Sequence, residues 1–576
     1  MDYSIIGIDF GTSATVVKVK NYYSGMNQKE CQTLTFNGNS SVPTLIFKDE
    51  SGKLFFGFEA ENQINSGMKG VLYKNFKMEL LGDASKRNEA ESMIREFFKY
   101  LYTELIQNKK QLNLFPETKT YISYPAKWTP EIRSLMKKCA INAGFGTEET
   151  VLGESEPTAA IYASILFHIE ELQSKHILLK NQPVNIMMLD MGAGTTDIAI
   201  FKLKIDPSNK PVIDELITYP TIDNAYLCGG REIDAIIAET LCGYIKSCSE
   251  NNQVPEAMIK AVYDTVKSWK EKSVSELLKL NNSAGFPGQI APQLNMLFQY
   301  GILKEKPFEK IDRRNFEFIT KKHWLQLKSL LEDSLKEAQK KLTNFNGAGD
   351  IDLIILTGGH SKWYLVSDFI LGNKIADIEP VNFAKIKREP GRLLQEKQPQ
   401  ETVAHGLIYK DIPLDVKYTM GNSLWIQYEV GGQKSGLFKI ASHNDVLPLK
   451  TSNEWKASIG STSVSMQRIA VTYNCFYGTS EKSAQKHSTT RYVSLNSVST
   501  SIIGGAISTI AAAFTTAKNV ATMQWEQITD DIEDCYKESY EIKVFSDFDI
   551  LEDATINVNG KINTQFADNL ELKFKI

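Results

Sequence analysis

The sequence predicts an α/β chain built from two matching halves, followed by a separate, mostly β domain. Three observations carry this. "IIGIDFGTSATVVKV" near the start and "MMLDMGAGTTDIAIF" about a third of the way along share one pattern: an apolar run, Asp, one residue, Gly, small or polar positions that include Thr, and a second apolar run. Each half then continues into stretches with helical periodicity. From about residue 410 that periodicity fades into Val/Ile/Tyr-rich runs separated by Gly, Asn and Ser. A length of 576 residues leaves room for three or four domains or subdomains at roughly 100–200 residues each.

In order, "SIIGIDF" and "TVVKVKN" read as strands around the turn "GTSA". "SVPTLIF" and "KLFFGFEA" extend them as a β-meander. "KRNEAESMIREFFKYLYTELIQNKK" has apolar residues at i, i+3, i+4 and i+7 and reads as a long helix. "KTYISYPA" is a buried strand stopped by Pro125, and Thr129-Pro130 supplies an N-cap and first-turn pair for the helix after it. The second half repeats the order: strand, Gly/Thr turn and strand in "VNIMMLDMGAGTTDIAIFKLKI", helices, then a buried strand, a Gly-Gly turn and a helix in "DIDLIILTGGHSKWYLVSDFI". An internal pair of such units implies two related domains facing each other. Beyond a junction at 408–418, residues 419–576 read as a β domain carrying one helical insert near 502–540.

Composition excludes several classes. A net charge of −4 with dispersed Lys and Arg is not the footprint of a nucleic-acid binder. The seven cysteines form no CxxC pair and no zinc spacing with the seven histidines, which predicts reduced thiols and a cytoplasmic protein. "MDYSIIGIDF" lacks the basic region of a signal peptide. Ser501–Ala521 approaches the ~20 residues of a membrane span, but Ser, Thr and Ala dominate it and Lys518 interrupts it, so a buried or amphipathic helix, or a strand plus helix, is expected.

A hairpin tip of Gly, Thr and Ser aims several backbone N–H groups and hydroxyls at one point, and that point favours an anion. Two such tips can clamp a polyphosphate from both sides. Asp9 and Asp190 close the strands leading into them. A carboxylate beside a phosphate is repelled unless a cation stands between, and Mg²⁺ is held by one or two carboxylates, phosphate oxygens and retained water. The pattern therefore points to a metal–nucleotide complex.

"IGIDFGTSAT", "LDMGAGTTDIAI" and "LTGGHSKWYLV" resemble the first phosphate, second phosphate and adenosine motifs of the actin, sugar-kinase and heat-shock ATPase superfamily. Within it, "GESEPTAAIYAS", "LCGGREID", "YISYPAKWTPEIRSLMKKCAINAGF" and "PQETVAHGLI" resemble segments of the seventy-kilodalton heat-shock chaperones (the DnaK class), in family order over residues 4–407. The resemblance implies an actin-like, two-lobed ATPase domain at 1–407 with ATP/ADP and Mg²⁺ as its ligands. Gly11, Thr12, Ser13 and Ala14 match the first phosphate loop, and Gly192, Ala193, Gly194 and Thr195 the second. Asp9 and Asp190 match the acids that hold Mg²⁺ through water. Lys77 in "FKMELLG" matches a lysine that reaches the γ-phosphate. Glu156 and Asp197 match acids that position the attacking water or the metal, and Thr195 a threonine near the γ-phosphate. Asp197 could equally anchor the returning strand.

On the adenosine side, Gly229 and Gly230 match the family's glycine pair, and Gly358 and Gly359 the turn against which base and ribose pack. There the family's "GGSTR" reads "GGHSK", so His360 replaces a serine and Lys362 an arginine. Lys cannot stack on a base as guanidinium does. Lys270 or Lys272 stands at a loosely matching basic position, with Trp269 where the family tends to have an acid.

The C-terminal part resembles the family more faintly. "YEVGGQKSGLFKIASHNDVLPLKTS" and "YEIKVFSDFDILEDATINVNGKIN" are similar in pattern to a β-sandwich peptide-binding domain. No helical lid is expected after it, and the junction "DIPLDV" carries Pro413, which removes one N–H from any strand formed there. The resemblance implies a slow ATP hydrolase whose β domain grips extended or unfolded peptide, with a co-chaperone or exchange factor. The alternative is a nucleotide-dependent switch with one dedicated protein partner. Neither reading includes nucleic acid, a membrane or a sugar substrate.

Overall fold

The computed structural model describes residues 2–23, 31–80, 82–126, 128–180, 182–208, 210–220, 228–249, 254–280, 282–285, 290–305, 310–409, 415–430, 433–459, 468–478, 485–494, 540–551, 555–564 and 570–575. The chain divides into two compact units. The first consists of Met1–Trp128, Ile132–Pro220 and Ala225–Lys417, and the second is mainly Tyr418–Ile576. The protein is mixed α/β with several sheets.

The first unit contains two sheets of the same strand order. In one, β1 (Tyr3–Phe10) and β2 (Ala14–Tyr22) form an antiparallel hairpin. β3 (Thr118–Tyr124) lies parallel to β1, and β4 (Val151–Ser155) parallel to β3. A two-residue strand, Gln32–Thr33, adds to the far side of β2. In the other, β5 (Val184–Met191) and β6 (Thr196–Ile205) form the hairpin, and β7 (Pro211–Tyr219) continues it antiparallel. β8 (Leu353–Thr357) lies parallel to β5, and β9 (Leu393–Gln395) parallel to β8. Both sheets therefore read third, second, first, fourth, fifth in chain order. Leu353–Thr357 is wholly buried, as expected of a parallel strand covered on both faces.

Helices cover these sheets. α1 (Ala84–Gln107) starts at Asp83, whose side chain accepts from the Lys86 N–H at 3.0 Å, as an N-cap should. α2 (Pro130–Ala143) begins at the expected proline. α3 (Glu156–Ser174) is capped by Ser155, which accepts from the Thr158 N–H at 3.2 Å. α4 (Gly230–Ser247), α5 (Glu256–Trp269) and α6 (Lys321–Lys341) pack against the second sheet in the core of Ile198, Ile237, Trp324 and Leu356. α7 (Thr402–Ile408) lies with α3 in a core that also takes Ile5 and Tyr121 from the first sheet and Ile186, Phe201 and Ile355 from the second. There the backbones nearly touch: a Cβ on Gly406 would stand 1.6 Å from the Ala159 carbonyl oxygen, and one on Gly7 2.9 Å from that of Ala404.

The expected meander ends early. Only Leu54–Phe56 of "KLFFGFEA" is a strand, and Gly57–Asn65 is a helix. Gly57, at φ +54°, turns the chain where a side chain would meet Val42 at 2.3 Å, and the helix buries Gly57 and Ala60. Local alternation gave way to that backbone reversal. In the junction, β10 (Asp415–Val416) pairs parallel with β7 and the Lys417 N–H donates to Ile213 O at 3.0 Å. Pro413 lies outside the described residues, as do Ser501–Ala521 and the helical insert expected near 502–540.

The second unit holds two sheets. One is centred on Ser423–Val430, flanked by Arg468–Gly478 and Phe438–Ala441, with Gln485–Ser494 beyond; the other runs Leu449–Ile459, Tyr540–Ile550, Ile556–Thr564, Leu570–Lys575. Ile426, Tyr428 and Val471 of one share a core with Ile542, Val544 and Val558 of the other, which is sandwich packing. Among the described residues no helix is long and apolar enough to cross a membrane.

A methyl group at Gly406 has no space at the α3–α7 crossing. Overpacking of this kind costs about 1–3 kcal/mol, so Gly406→Ala is expected to destabilise the protein by about that amount in urea titration. An unchanged midpoint would show that the crossing is looser than this.

Candidate functional site

The site is built by the two hairpins of the first unit. Their tips, residues 11–13 and 192–195, retain partial exposure while the strands on either side are mostly buried. Gly11 is required locally: a Cβ there would lie 2.2 Å from the Ala14 carbonyl oxygen. The first tip is tied down by Thr44, whose hydroxyl donates to Gly11 O and whose N–H donates to Ser13 O, each at 2.9 Å. In the second tip the Gly192 N–H donates to Thr195 O at 2.9 Å. α4 closes beneath it, with the Gly230 N–H donating to Gly192 O at 3.1 Å and the Arg231 N–H to Ala193 O at 2.8 Å. Gly229 permits that approach, since a Cβ would stand 2.7 Å from Ala193 O. The two tips face each other: a Cβ on Gly194 would come within 3.8 Å of the Thr12 side chain.

Carboxylates gather behind the tips. Asp9 ends β1 and accepts from the Ser123 hydroxyl of β3 at 2.8 Å. Asp190 ends β5 opposite Asp197 of β6, and Asp197 accepts from the Thr195 hydroxyl at 3.2 Å. The first hairpin has Val16 at the position equivalent to Asp197, opposite Asp9. Glu156 opens α3. Lys77, 3 % exposed on the one-turn helix Phe76–Glu79, donates to Glu156 Oε1 and to Phe10 O, both at 2.6 Å. Burial, and then the Glu156 charge, push Asp9 up to about 6 against the pull of Lys77 and of the Ser123 hydrogen bond. Asp190 is raised well above the ordinary carboxylate value, first by burial and then by Glu156, Asp197 and Asp9.

Acids that raise one another's proton affinity in a cleft make a place that a hard cation relieves, and an all-oxygen donor set suits Mg²⁺. Asp9 and Asp190, next to last in the strands that lead into the tips, are the acids placed for such an ion.

Farther along the cleft, Gly358 takes φ +80°, and a Cβ there would strike Asp190 Oδ1 at 2.5 Å. This turn is thus locked against the end of β5. Of the two candidate lysines, Lys270 is brought in: it is 4 % exposed, pairs with Asp234 at 2.5 Å and donates to Gly230 O at 3.2 Å. Lys272 is exposed on the π-helical turn Lys270–Val274 and is not brought to the site. Gly359 and Lys362 are exposed. His360 is buried, 3.3 Å from His323 across their Nε2 atoms. Trp269 is a core residue, its indole N–H donating to Gly285 O at 2.7 Å.

Four partners of the site were not legible: Thr44, Ser123, Asp234 and His323. Each reaches a site residue across a long stretch of chain. Ser123 and Asp234 lie inside the quoted segments "YISYPAKW" and "LCGGREID", yet nothing local marks them as partners, and Thr44 and His323 carry no motif.

The fold and the cleft define a mixed α/β protein with two facing Gly/Thr hairpins and an acid at the end of each first strand. No protein-family model matches the chain. It is similar to the chaperone protein DnaK of Mycoplasmopsis pulmonis, 24% identical over 383 residues, which cover 64% of this chain and 55% of the relative. It is likewise similar to the chaperone protein DnaK of Ureaplasma parvum, 23% identical over 374 residues (64% of this chain, 53% of the relative). The chaperone protein HscA homolog of Rickettsia typhi is 25% identical over 292 residues, 48% of this chain and 44% of the relative. The chain spans about half the length of the curated DnaK relatives it matches. The chain is thus similar to Hsp70-like chaperones of the DnaK and HscA kinds.

Asp9 binds its proton more tightly folded than unfolded, so its contribution to stability declines as pH rises from about 4 to 6, and above 6 its charge opposes folding. Asp9→Asn is therefore expected to stabilise the ligand-free protein at pH 7 by about 2–3 kcal/mol and to change little at pH 4. Lower stability of the variant at pH 7 would contradict the burial of that charge.

Proposed function

We propose that the protein is a DnaK-like chaperone ATPase, which binds Mg²⁺-ATP between the two hairpins and hydrolyses it slowly. The observation that carries this is the facing of Gly194 and Thr12 at the tips of hairpins whose first strands have Asp9 and Asp190 next to last. The tips present N–H groups and hydroxyls to phosphate oxygens from both sides. Asp9 and Asp190 would hold the hydrated Mg²⁺, which when bound neutralises phosphate charge.

Hydrolysis of a phosphoanhydride requires an in-line water and charge neutralisation at the terminal phosphoryl group more than covalent chemistry. Lys77 supplies a cation at the end of β1. The Lys77–Glu156 pair couples that cation to the first residue of α3, and Glu156 is the acid suited to orient the water. Thr195, held by Asp197, presents its hydroxyl oxygen at the second tip. Lys270 buttresses the start of α4 on the adenosine side. In the second unit, the sandwich is the element to grip an extended peptide through backbone hydrogen bonds and an apolar pocket. A cytoplasmic location and a co-chaperone or exchange factor belong to the same reading.

A second reading, a nucleotide switch with one dedicated partner, rests on the share of this chain, about a third, that the DnaK relatives do not cover. ATPase turnover with and without model peptides separates the two. Stimulation by many apolar peptides supports the chaperone, whereas no peptide response and one specific partner in a pull-down supports the switch.

Lys77→Ala is expected to keep ATP binding and to lose most turnover, by about 10²-fold or more given the weight of charge stabilisation in such reactions. Single-turnover hydrolysis at the wild-type rate would remove Lys77 from the catalytic set.

A further inference from the structure

We infer that His323 sets the tautomer of His360, so that His360 presents Nδ1–H as a hydrogen-bond donor to the nucleoside part of the bound nucleotide. This rests on the nucleotide reading above and adds to it a positioning residue on α6.

The pair lies beside the Gly358–Gly359 turn and the start of α4. His323 is 0 % exposed and His360 7 %. Burial, and then Lys270, push His323 down to about 3; burial, then His323 and Lys270, hold His360 well below its ordinary value. Both imidazoles are neutral at physiological pH, so each carries one N–H and one bare nitrogen.

The direction of the chain follows from Cys228. Its side chain is fully buried, and burial pushes the thiol up, so it stays S–H. Cys228 Sγ lies 3.8 Å from His323 Nδ1 and 4.0 Å from its Nε2, and Nε2 is already engaged with His360. The Thr196 hydroxyl beside it donates to the Cys228 carbonyl oxygen. The thiol donates to His323 Nδ1, a neutral His323 then carries its proton on Nε2, and that N–H points at His360 Nε2, 3.3 Å away. His360 Nε2 is the acceptor, which leaves the His360 proton on Nδ1.

That nitrogen has no hydrogen-bond partner among the described residues. It lies 3.6 Å from where a Cβ on Gly230 would be, at the corner between α4 and the Gly358–Gly359 turn. A neutral N–H donor there suits an acceptor such as a purine ring nitrogen or a ribose oxygen. It gives no help to the phosphates, which the hairpins and Lys77 serve.

The test has two arms. Imidazole ¹⁵N spectra of the wild-type protein read the tautomer directly; with seven histidines in the chain, the His360 signals are assigned by their loss in His360→Gln. The expected result is a protonated Nδ1 and a bare Nε2 at His360. A His360 protonated at Nε2, as when the thiol proton goes to Thr196 instead, would overturn the inference without needing any folded variant at position 323. In the second arm, His323→Phe is expected to weaken ATP binding about tenfold and leave inorganic tripolyphosphate binding unchanged. His323→Gln, whose amide can both accept from the thiol and donate to His360, restores most of the affinity. Equal ATP affinity in wild type and His323→Phe overturns this inference alone; a wild type that binds neither ATP nor tripolyphosphate overturns the nucleotide reading, while the spectra still decide the tautomer.

Discussion

The geometry of the cleft depends on the crossing of α3 and α7. Gly406 brings α7 so close to Ala159 that no side chain fits between the backbones, and Gly7 lets α7 lie directly on β1. The core around this crossing draws side chains from both sheets, so α3 and α7 are the shared floor on which the two hairpins stand. Glu156 is the first residue of α3. The helix that joins the sheets therefore also delivers the acid that pairs with Lys77. A buried ion pair between α7's approach and β2, Lys18 with Glu401 at 2.6 Å, fastens the same floor from the other side. Removing either partner of such a buried pair leaves an uncompensated charge and destabilises the fold.

On that floor the cleft concentrates opposing charge. Asp9, Asp190, Asp197 and Glu156 sit within electrostatic reach of one another, with Lys77 inserted among them. Left to themselves these acids favour protonation, which is why burial raises Asp9 and Asp190. The arrangement is costly for folding and useful for binding a cation–polyphosphate complex, since the ligand supplies the positive charge the cluster lacks. The hydrogen-bonded tips complete the arrangement by fixing N–H groups and hydroxyls before any ligand arrives, which reduces the ordering that binding demands.

The adenosine side works by burial instead of charge. Lys270 is held by Asp234 and the Gly230 carbonyl. His360 is turned onto His323, and Trp363 stacks on Trp324 below. Where the resembling family has a serine and an arginine that can stack, this chain has a buried histidine and an exposed lysine. Cys228, His323 and His360 form a buried polar chain beside this turn.

The paired hairpins were legible in the sequence because a strand–turn–strand unit is local: "IDFGTSAT" and "LDMGAGTTD" contain their own apolar runs, glycines and acids, and the sheets followed the register those runs dictate. The long helix at 84–107 and the buried strand at 353–357 were legible for the same reason, since periodicity is carried by neighbours in the chain. The turn at Gly57 was not, because a backbone reversal overrode an alternation that looked like strand. Nor could the sequence choose between Lys270 and Lys272; two residues of helical rotation put one under Gly230 and the other in solvent. Thr44, Ser123, Asp234 and His323 became site residues only through contacts that close long loops. Local pattern determined which segments form the two Gly/Thr hairpins, and tertiary packing decided which distant side chains hold them in place, because hydrogen bonds and charges act through space and sequence spacing does not measure that distance.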